Sequence, residues 1–391
     1  MKPLFLDQSG NLGGAELCLL DIAKPFAPHA LVCLLADGPF RQRLEAEGIS
    51  VAVVGKGPIR VRKASGLAQG VASLNQLLPM VQQTAQRAKS CDLIYANTPK
   101  ALIVGALAST LARRPLVYHL HDIISPEHFS ATNRRLLVGL ANRFARLVIA
   151  NSEASRAAFI AAGGQAHKVA VVYNGFCPAT YQVPPTTVDQ LRQDLQLEGK
   201  FAVGHFSRLS PWKGQHVLIE ALAHCPDNVM ALLVGDALFG EDDYVQQLHR
   251  QVDQLGLGDR VKFLGFRADI PHLMAVCDLI THTSTAPEPF GRVIVEAMLC
   301  GKPVIAAQAG GAEELVDHGR TGWLSPPGNP QKLAELISTA QDTPETAAAM
   351  AQRGQHVARD RFCLDTTNQQ IQHLLTTITE QPLRSQHASS L

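Results

Sequence analysis

LITHTSTAPEPFGRVIVEAMLCGKPVIAA, residues 279–307, reads as a strand, a loop, a helix and a second strand. Residues 279–283 and 303–307 are short apolar, β-branched runs, and a helix is expected to begin near Gly291 between them. Strands joined through a helix lie parallel in one sheet. The same alternation extends in both directions. In the second half it gives strands at 201–206, 230–234 and 261–265 before this unit and a short one near 322–324 after it. In the first half it gives 4–6, 31–35, 51–54, 93–96, 116–121, 147–150 and 169–173. Each set builds one doubly wound parallel α/β sheet of the Rossmann-like kind. A chain of 391 residues is too long for one core, so two domains are expected. The first covers 1–177, a linker region 178–200, and the second 201–365; 366–391 forms a C-terminal helix crossing back to the first domain, with a frayed tail. The linker reading rests on PATYQVPPTTVDQ, 178–190, whose prolines and threonines interrupt any periodicity.

Composition excludes several classes. With 46% hydrophobic and 18% charged residues the chain is neither disordered nor fibrous. The longest apolar run, ALIVGALASTLA at 101–112, ends at two arginines and is too short to span a bilayer. The start, MKPLFLDQSG, has an aspartate where a signal peptide would continue its apolar region, so a cytoplasmic protein is expected. The 8 cysteines stand singly, without a CxxC pair, and read as reduced and mostly buried. Residues 1–190 hold 19 Lys/Arg and 11 Asp/Glu, whereas 191–391 hold 16 and 23. Opposite charge on the two halves indicates different partners or complementary surfaces, and the acidic half argues against nucleic acid.

Ligands of open parallel sheets bind beyond the carboxyl ends of the strands. Four such segments carry chemistry. SGNLGGAE, 9–16, places Gly13 and Gly14 before a helix, where bare backbone and free N–H groups favour an anion; an ordinary tight turn is the alternative. FSRLSPWKG, 206–214, carries Arg208 and Lys213 on one loop, able to neutralise a diphosphate unless both are simply solvated. APEPFGRVIVEAMLCGKPVIA, 286–306, carries Glu288 and Glu296 around a helix start whose N–H groups, from Phe290 through Gly291 and Arg292 to Val293, suit phosphates. VYHLHD, 117–122, puts His119 and His121 on one face of a strand. No third metal ligand is evident beside them, so no metal is assigned, and His121 with Asp122 is read as facing a cleft.

Together, GGAE, HD, VVYNGF (171–176), SRLSPWKG and EPFGRVIVEAMLCGKPVIA resemble the retaining glycosyltransferases of family 4, across nearly the whole chain and in order. The resemblance implies the GT-B fold, two Rossmann-like domains facing a cleft. It implies Arg208 and Lys213 on the diphosphate of a nucleotide sugar, Glu288 at the transferred sugar, Glu296 at the ribose, and Gly13 and Gly14 closing over the phosphates. Gly235, Phe266 and Arg267 join the donor side, with the last two near the base; His121, Asp122, Asn151 and Asn174 lie on the acceptor side. Arg208, Lys213, Glu288 and His121 would serve transfer itself, with retention and without cofactor or metal. One departure is GDALFGEDDY, 235–244, an acidic insertion-like stretch beside the expected ribose and base pocket.

The reading is a transferase moving sugar from a UDP- or GDP-sugar to a glycan, lipid-linked or small-molecule acceptor. A GT-B epimerase or hydrolase, or an inactive nucleotide-sugar binder, stands as the alternative. A dinucleotide dehydrogenase is disfavoured because no GxGxxG follows a strand. RVRK at 60–63, an amphipathic run with Leu67, Val71, Leu74, Leu77, Leu78 and Val81, and NRR at 133–135 could give peripheral contact with an anionic membrane; a core-facing helix with solvated cations is the favoured reading of them.

Overall fold

Apolar residues that alternate between two covered faces build the first sheet. In the computed structural model, which describes residues 1–55, 67–237 and 240–380, β1 (Pro3–Asp7) is buried along its whole length. Leu4 and Leu6 enter one core and Phe5 the other, as expected where helices cover both faces. β2 (Leu31–Leu34), β3 (Ser50–Val53), β4 (Leu93–Ala96), β5 (Leu116–Leu120), β6 (Ala145–Ala150) and β7 (Val169–Val171) complete a parallel sheet of order β3-β2-β1-β4-β5-β6-β7. The second sheet is built in the same way from β8 (Phe201–Phe206), β9 (Val229–Val234), β10 (Val261–Gly265), β11 (Leu279–His282), β12 (Val304–Ala307) and β13 (Trp323–Ser325), in the order β10-β9-β8-β11-β12-β13. Each order reverses once, between β1 and β4 and between β8 and β11, and these switch points are where the fold offers a crevice.

Two compact units result: Met1–Gly175 with Leu364–Leu391, and Phe176–Cys363. In the first, helices Leu67–Ala88, Pro99–Ala112 and Ala131–Phe144 cover one face. Helices Gly14–Ala23, Pro39–Ala46 and Leu364–Glu380 cover the other, where Ile371, Leu375 and Ile378 are buried. Thr367 Oγ1 donates to the Tyr173 carbonyl and Asn368 Nδ2 to that of Asp21, fixing the last helix in this unit.

The segment read as a linker is structured. It forms a 3-10 turn at Pro178–Tyr181 and a helix at Pro185–Asp194, because a proline in the first helical turn promotes a helix start rather than blocking one. Arg192 anchors this helix in the second unit by donating to the carbonyls of Val276, Leu197 and Lys200 and pairing with Asp278. The amphipathic run yields the helix Leu67–Ala88, in which Val81 is buried and Leu78 is 58% exposed. RVRK and the side chains of Leu67, Val71 and Leu74 lie outside the described residues, as does the tail beyond 380.

Candidate functional site

In the second unit the loop after β8 is clamped against β11. Gly214 has φ +73°, and a Cβ there would stand 2.0 Å from the Thr283 carbonyl oxygen, so only glycine fits. Thr283 Oγ1 donates to the Gly214 carbonyl at 2.8 Å, and Gln215 Nε2 donates to Ser207 Oγ and the Arg208 carbonyl. This backbone delivers Lys213 to Glu288: Nζ lies 2.8 Å from Oε2 and 4.0 Å from the centre of the Trp212 ring.

Glu288 gathers three donors on one carboxylate oxygen. Its Oε2 accepts from Lys213, from His282 Nε2 at 3.0 Å and from Ser284 Oγ at 2.9 Å. Burial alone would raise its carboxyl, but the Lys213 ammonium and the His282 contact outweigh it and hold Glu288 far below the usual carboxylate range. Its backbone is fixed as well. Gly311 N donates to the Glu288 carbonyl at 2.7 Å, and Gly310, with φ +67°, passes so close that a Cβ would lie 2.5 Å from that oxygen.

Gly291 caps the following helix, Arg292–Leu299, from the left-handed region at φ +97°. Phe290 is buried and stacks on Phe176, and Arg292 lies 4.5 Å from the Phe176 ring centre while pairing with Glu296 at 3.5 Å. Val293 opens the helix with Arg292. Arg208 Nε pairs with Glu241 at 3.3 Å, and Ser210 Oγ donates to the other oxygen of Glu241. The acidic stretch noted in the sequence therefore supplies the internal counterion of Arg208. Gly235 sits at φ +136° against the Ser207 carbonyl. Arg267 binds Asp269 through two contacts, of 2.6 and 2.8 Å, and Phe266 is 69% exposed.

The switch point of the first unit gathers a second polar group. Asp7 ends β1 and Asn97 follows β4; Asn97 Nδ2 donates to Asp7 Oδ2 at 2.7 Å and to the Ala15 carbonyl at 3.0 Å. Its Oδ1 therefore faces His121 Nε2, 2.9 Å away. Gly13 caps helix Gly14–Ala23 in extended backbone, and a Cβ there would stand 2.7 Å from Glu16 Oε2, so a larger residue would displace the end of that side chain. Burial raises both carboxyls: Asp7 to about 6, and Glu16 to about 8 with the Asp7 charge adding to the effect. Burial also pushes Asp122 up to about 6.

His119 bonds Tyr95 Oη through Nδ1 at 2.7 Å and its ring centre lies 3.9 Å from that of His121. Cys18 joins them. Its thiol donates to Asn174 Oδ1 at 3.3 Å, and its sulfur and one nitrogen of each histidine lie within 4.8 Å of one another. The third donor that the sequence reading did not find is this cysteine, on a different element. Asn151 is buried and accepts from Ser155 Oγ at the start of the next helix. The geometry thus joins Lys213 with Glu288, Arg292 with Glu296, and Asn174 with the histidines through Cys18, while Arg267, Phe266 and Asn151 have local surroundings of their own. His282, Ser284 and Glu241, and in the first unit Asp7, Asn97 and Cys18, are additions made by the structure.

Comparison with known proteins identifies the arrangement. Residues 13–175 match the glycosyl transferase 4-like domain, and residues 187–357 match glycosyl transferases group 1. Anabaena HepE, solved with UDP-glucose, is 60% identical over 96% of this chain and 100% of that chain, with a TM-score of 0.91; its complex with UDP and glucose superposes with a TM-score of 0.90. Spore coat protein SA of Bacillus subtilis is 32% identical over 50% of this chain and 55% of that protein. The GDP-mannose-dependent phosphatidylinositol monomannoside mannosyltransferase of Mycolicibacterium smegmatis is 29% identical over 72% of this chain and 75% of its own length. With both halves matched and a relative this similar along its whole length, the chain belongs to glycosyltransferase family 4 and is a nucleotide-sugar-dependent glycosyltransferase of the GT-B fold.

Proposed function

We propose that the protein transfers glucose from UDP-glucose, with retention of anomeric configuration and without a metal ion, to a glycan or lipid-linked acceptor. The donor follows from the 60% identity to HepE, which was solved with UDP-glucose. A transferase of phosphatidylinositol mannoside among the relatives favours transfer over the epimerase, hydrolase and inactive-binder alternatives.

The observation that carries the mechanism is the state of Glu288. An ionised carboxylate with three donors on one oxygen is a weak nucleophile, because attack on the sugar would sacrifice those bonds. A front-face displacement, in which the leaving diphosphate helps to remove the acceptor proton, needs no carboxylate nucleophile. Glu288 Oε1 then serves as an acceptor for a hydroxyl of the transferred sugar, with His282 and Ser284 as positioning residues. Arg208 and Lys213 take the diphosphate, so the positive charge a metal would supply comes from side chains. Glu296 binds the ribose, Phe266 and Arg267 flank the base, the amides from Phe290 to Val293 with Gly13, Gly14 and Gly235 line the phosphates, and His121, Asp122, Asn151 and Asn174 form the acceptor side.

Acceptor chemistry at a membrane surface belongs to the same reading. Leu78, Leu107, Leu111 and Leu136 are each more than 40% exposed, on the three helices that cover one face of the first sheet, beside Arg113 and Arg135. Among the described residues no helix is long and apolar enough to cross a membrane. A peripheral contact from the cytoplasmic side is part of the proposal and rests on these exposed leucines and arginines.

Thermal-shift measurement with UDP, GDP, ADP and their glucose conjugates tests the donor, a ligand at a hundred times its dissociation constant adding about 2.7 kcal/mol of stability. A shift with UDP compounds that Arg208→Ala abolishes is expected. A preference for GDP refutes the donor, and turnover that stops in EDTA refutes metal independence. Flotation with anionic vesicles at low salt tests the membrane contact, which failure to bind removes.

A further inference from the structure

We propose that Cys18, His119 and His121 bind a divalent transition metal of the zinc type, and that its occupancy blocks sugar transfer. The three residues come from helix Gly14–Ala23, from β5 (His119) and from the position just past its end (His121). Their donor atoms lie within 4.8 Å of one another, and Cys18 and His119 are 3% and 1% exposed.

Two details point to an ion rather than to ordinary packing. Nε2 of the buried His119 has no hydrogen-bond partner, although a buried polar atom left unpaired costs about 1–3 kcal/mol. Its other nitrogen meets Tyr95 Oη, so a proton on Nδ1 donated to that oxygen leaves a lone pair on Nε2. The second detail is Asn97. Because the Ala15 carbonyl can only accept, Asn97 Nδ2 faces it and Oδ1 faces His121. His121 Nε2 then carries the proton and Nδ1 the lone pair. Asn97 Oδ1 thus fixes His121 with its proton on Nε2, and Tyr95 Oη, which can accept as well as donate, allows His119 the matching state with Nε2 as ligand, the arrangement found around protein-bound zinc. Burial further keeps His119 neutral by pushing its basicity well below the ordinary value.

One thiolate and two imidazoles select zinc or copper-like ions over magnesium and calcium, and three protein ligands leave a coordination position for water. Binding exchanges the thiol proton for the metal, so affinity falls in acid. His121 is only partly buried, which gives the ion an approach. The block on transfer rests on the role given to His121 above, since one side chain cannot serve both.

Cobalt(II) titrated into the full-length protein reads the site without turnover. A thiolate-to-cobalt charge-transfer band at one equivalent, absent in Cys18→Ser, is expected, together with about a tenfold or greater loss of zinc affinity by calorimetry in Cys18→Ser and in His119→Gln. Absence of the band in wild type, or equal zinc affinity in wild type and Cys18→Ser, overturns the site. In assays, zinc inhibits the wild type and EDTA restores it, whereas Cys18→Ser, compared with its own metal-free rate, resists the same zinc concentration. Cobalt binding with the band but no zinc inhibition overturns the block and, with it, the role of His121, while leaving the site standing.

Discussion

Replacing Lys213 by Met removes the nearest full charge from Glu288. The pair is 2.8 Å apart with side chains 18% and 10% exposed, a gross attraction of about 6 kcal/mol at an effective dielectric of about 20. Desolvation offsets much of this, and deleting one partner of a buried pair costs about 3–5 kcal/mol. Because His282 and Ser284 still donate to Oε2, the lower end, about 3 kcal/mol, is expected for Lys213→Met. Glu288→Gln should cost about 2 kcal/mol, and the double variant about 2 kcal/mol less than the two losses added together, since neither buried charge then lacks its partner. Urea unfolding of the four proteins at neutral pH measures the cycle. The sign of the pH dependence follows from Glu288, whose carboxyl is held below its ordinary 4.5 in the folded protein. Its stabilisation is complete above that value and drains away as pH falls towards the folded one. Lys213→Met removes the main cause of that lowering, so the gap to wild type should narrow in acid. Additivity within about 0.5 kcal/mol, or a gap indifferent to pH, refutes the coupling.

Glu16, raised to about 8, contributes in the opposite direction: its share of stability is present below 4.5 and is lost as pH rises through about 8. Glu16→Gln should therefore flatten the fall of the melting temperature between about pH 4.5 and 8, and curves parallel to wild type across that range would contradict this. Gly214→Ala meets both a positive φ and the Thr283 carbonyl, so about 3 kcal/mol of stability and most transfer should be lost, whereas Gly199→Ala, at φ +67° in open space, should cost only about 1 kcal/mol; equal losses in chemical denaturation would refute the clamp. Glu241→Gln frees Arg208 from its internal counterion, and the KM for the donor should fall about threefold, given that such part-exposed pairs contribute up to about 1 kcal/mol. A raised KM would mean that Glu241 orients Arg208 rather than competing with the diphosphate.

Most strands among the described residues were legible because they are buried between helices and so read as continuous apolar runs, and β3 and β7, only partly buried, were still marked by their β-branched residues. Helix Pro185–Asp194 was not: it buries no residue fully, so it leaves no stripe, and its prolines look like punctuation until one is seen in the first turn. Glu288 and Lys213 stood out as charged residues on loops after strands. Their partner His282 did not, because it ends an apolar strand and gives no local sign that its ring reaches Glu288. Asp7 and Asn97 share that difficulty, each being a single polar residue at a strand end that acquires meaning only once the sheet order makes β1 and β4 neighbours. Cys18 completes the histidine pair through a helix packed on the sheet, a proximity that spacing cannot express.

The path of the chain also sets an order of events during its synthesis. The second unit is one uninterrupted stretch, Phe176–Cys363, and can mature as soon as it has left the ribosome. The first unit begins earlier but needs Ile371, Leu375 and Ile378, which are made last and each stabilise it by about 1.5–3 kcal/mol. The middle of the protein is thus finished before its beginning, and the nascent first unit waits with part of one apolar face uncovered. A message truncated just before codon 364 would yield a sound second unit tethered to a first that never closes.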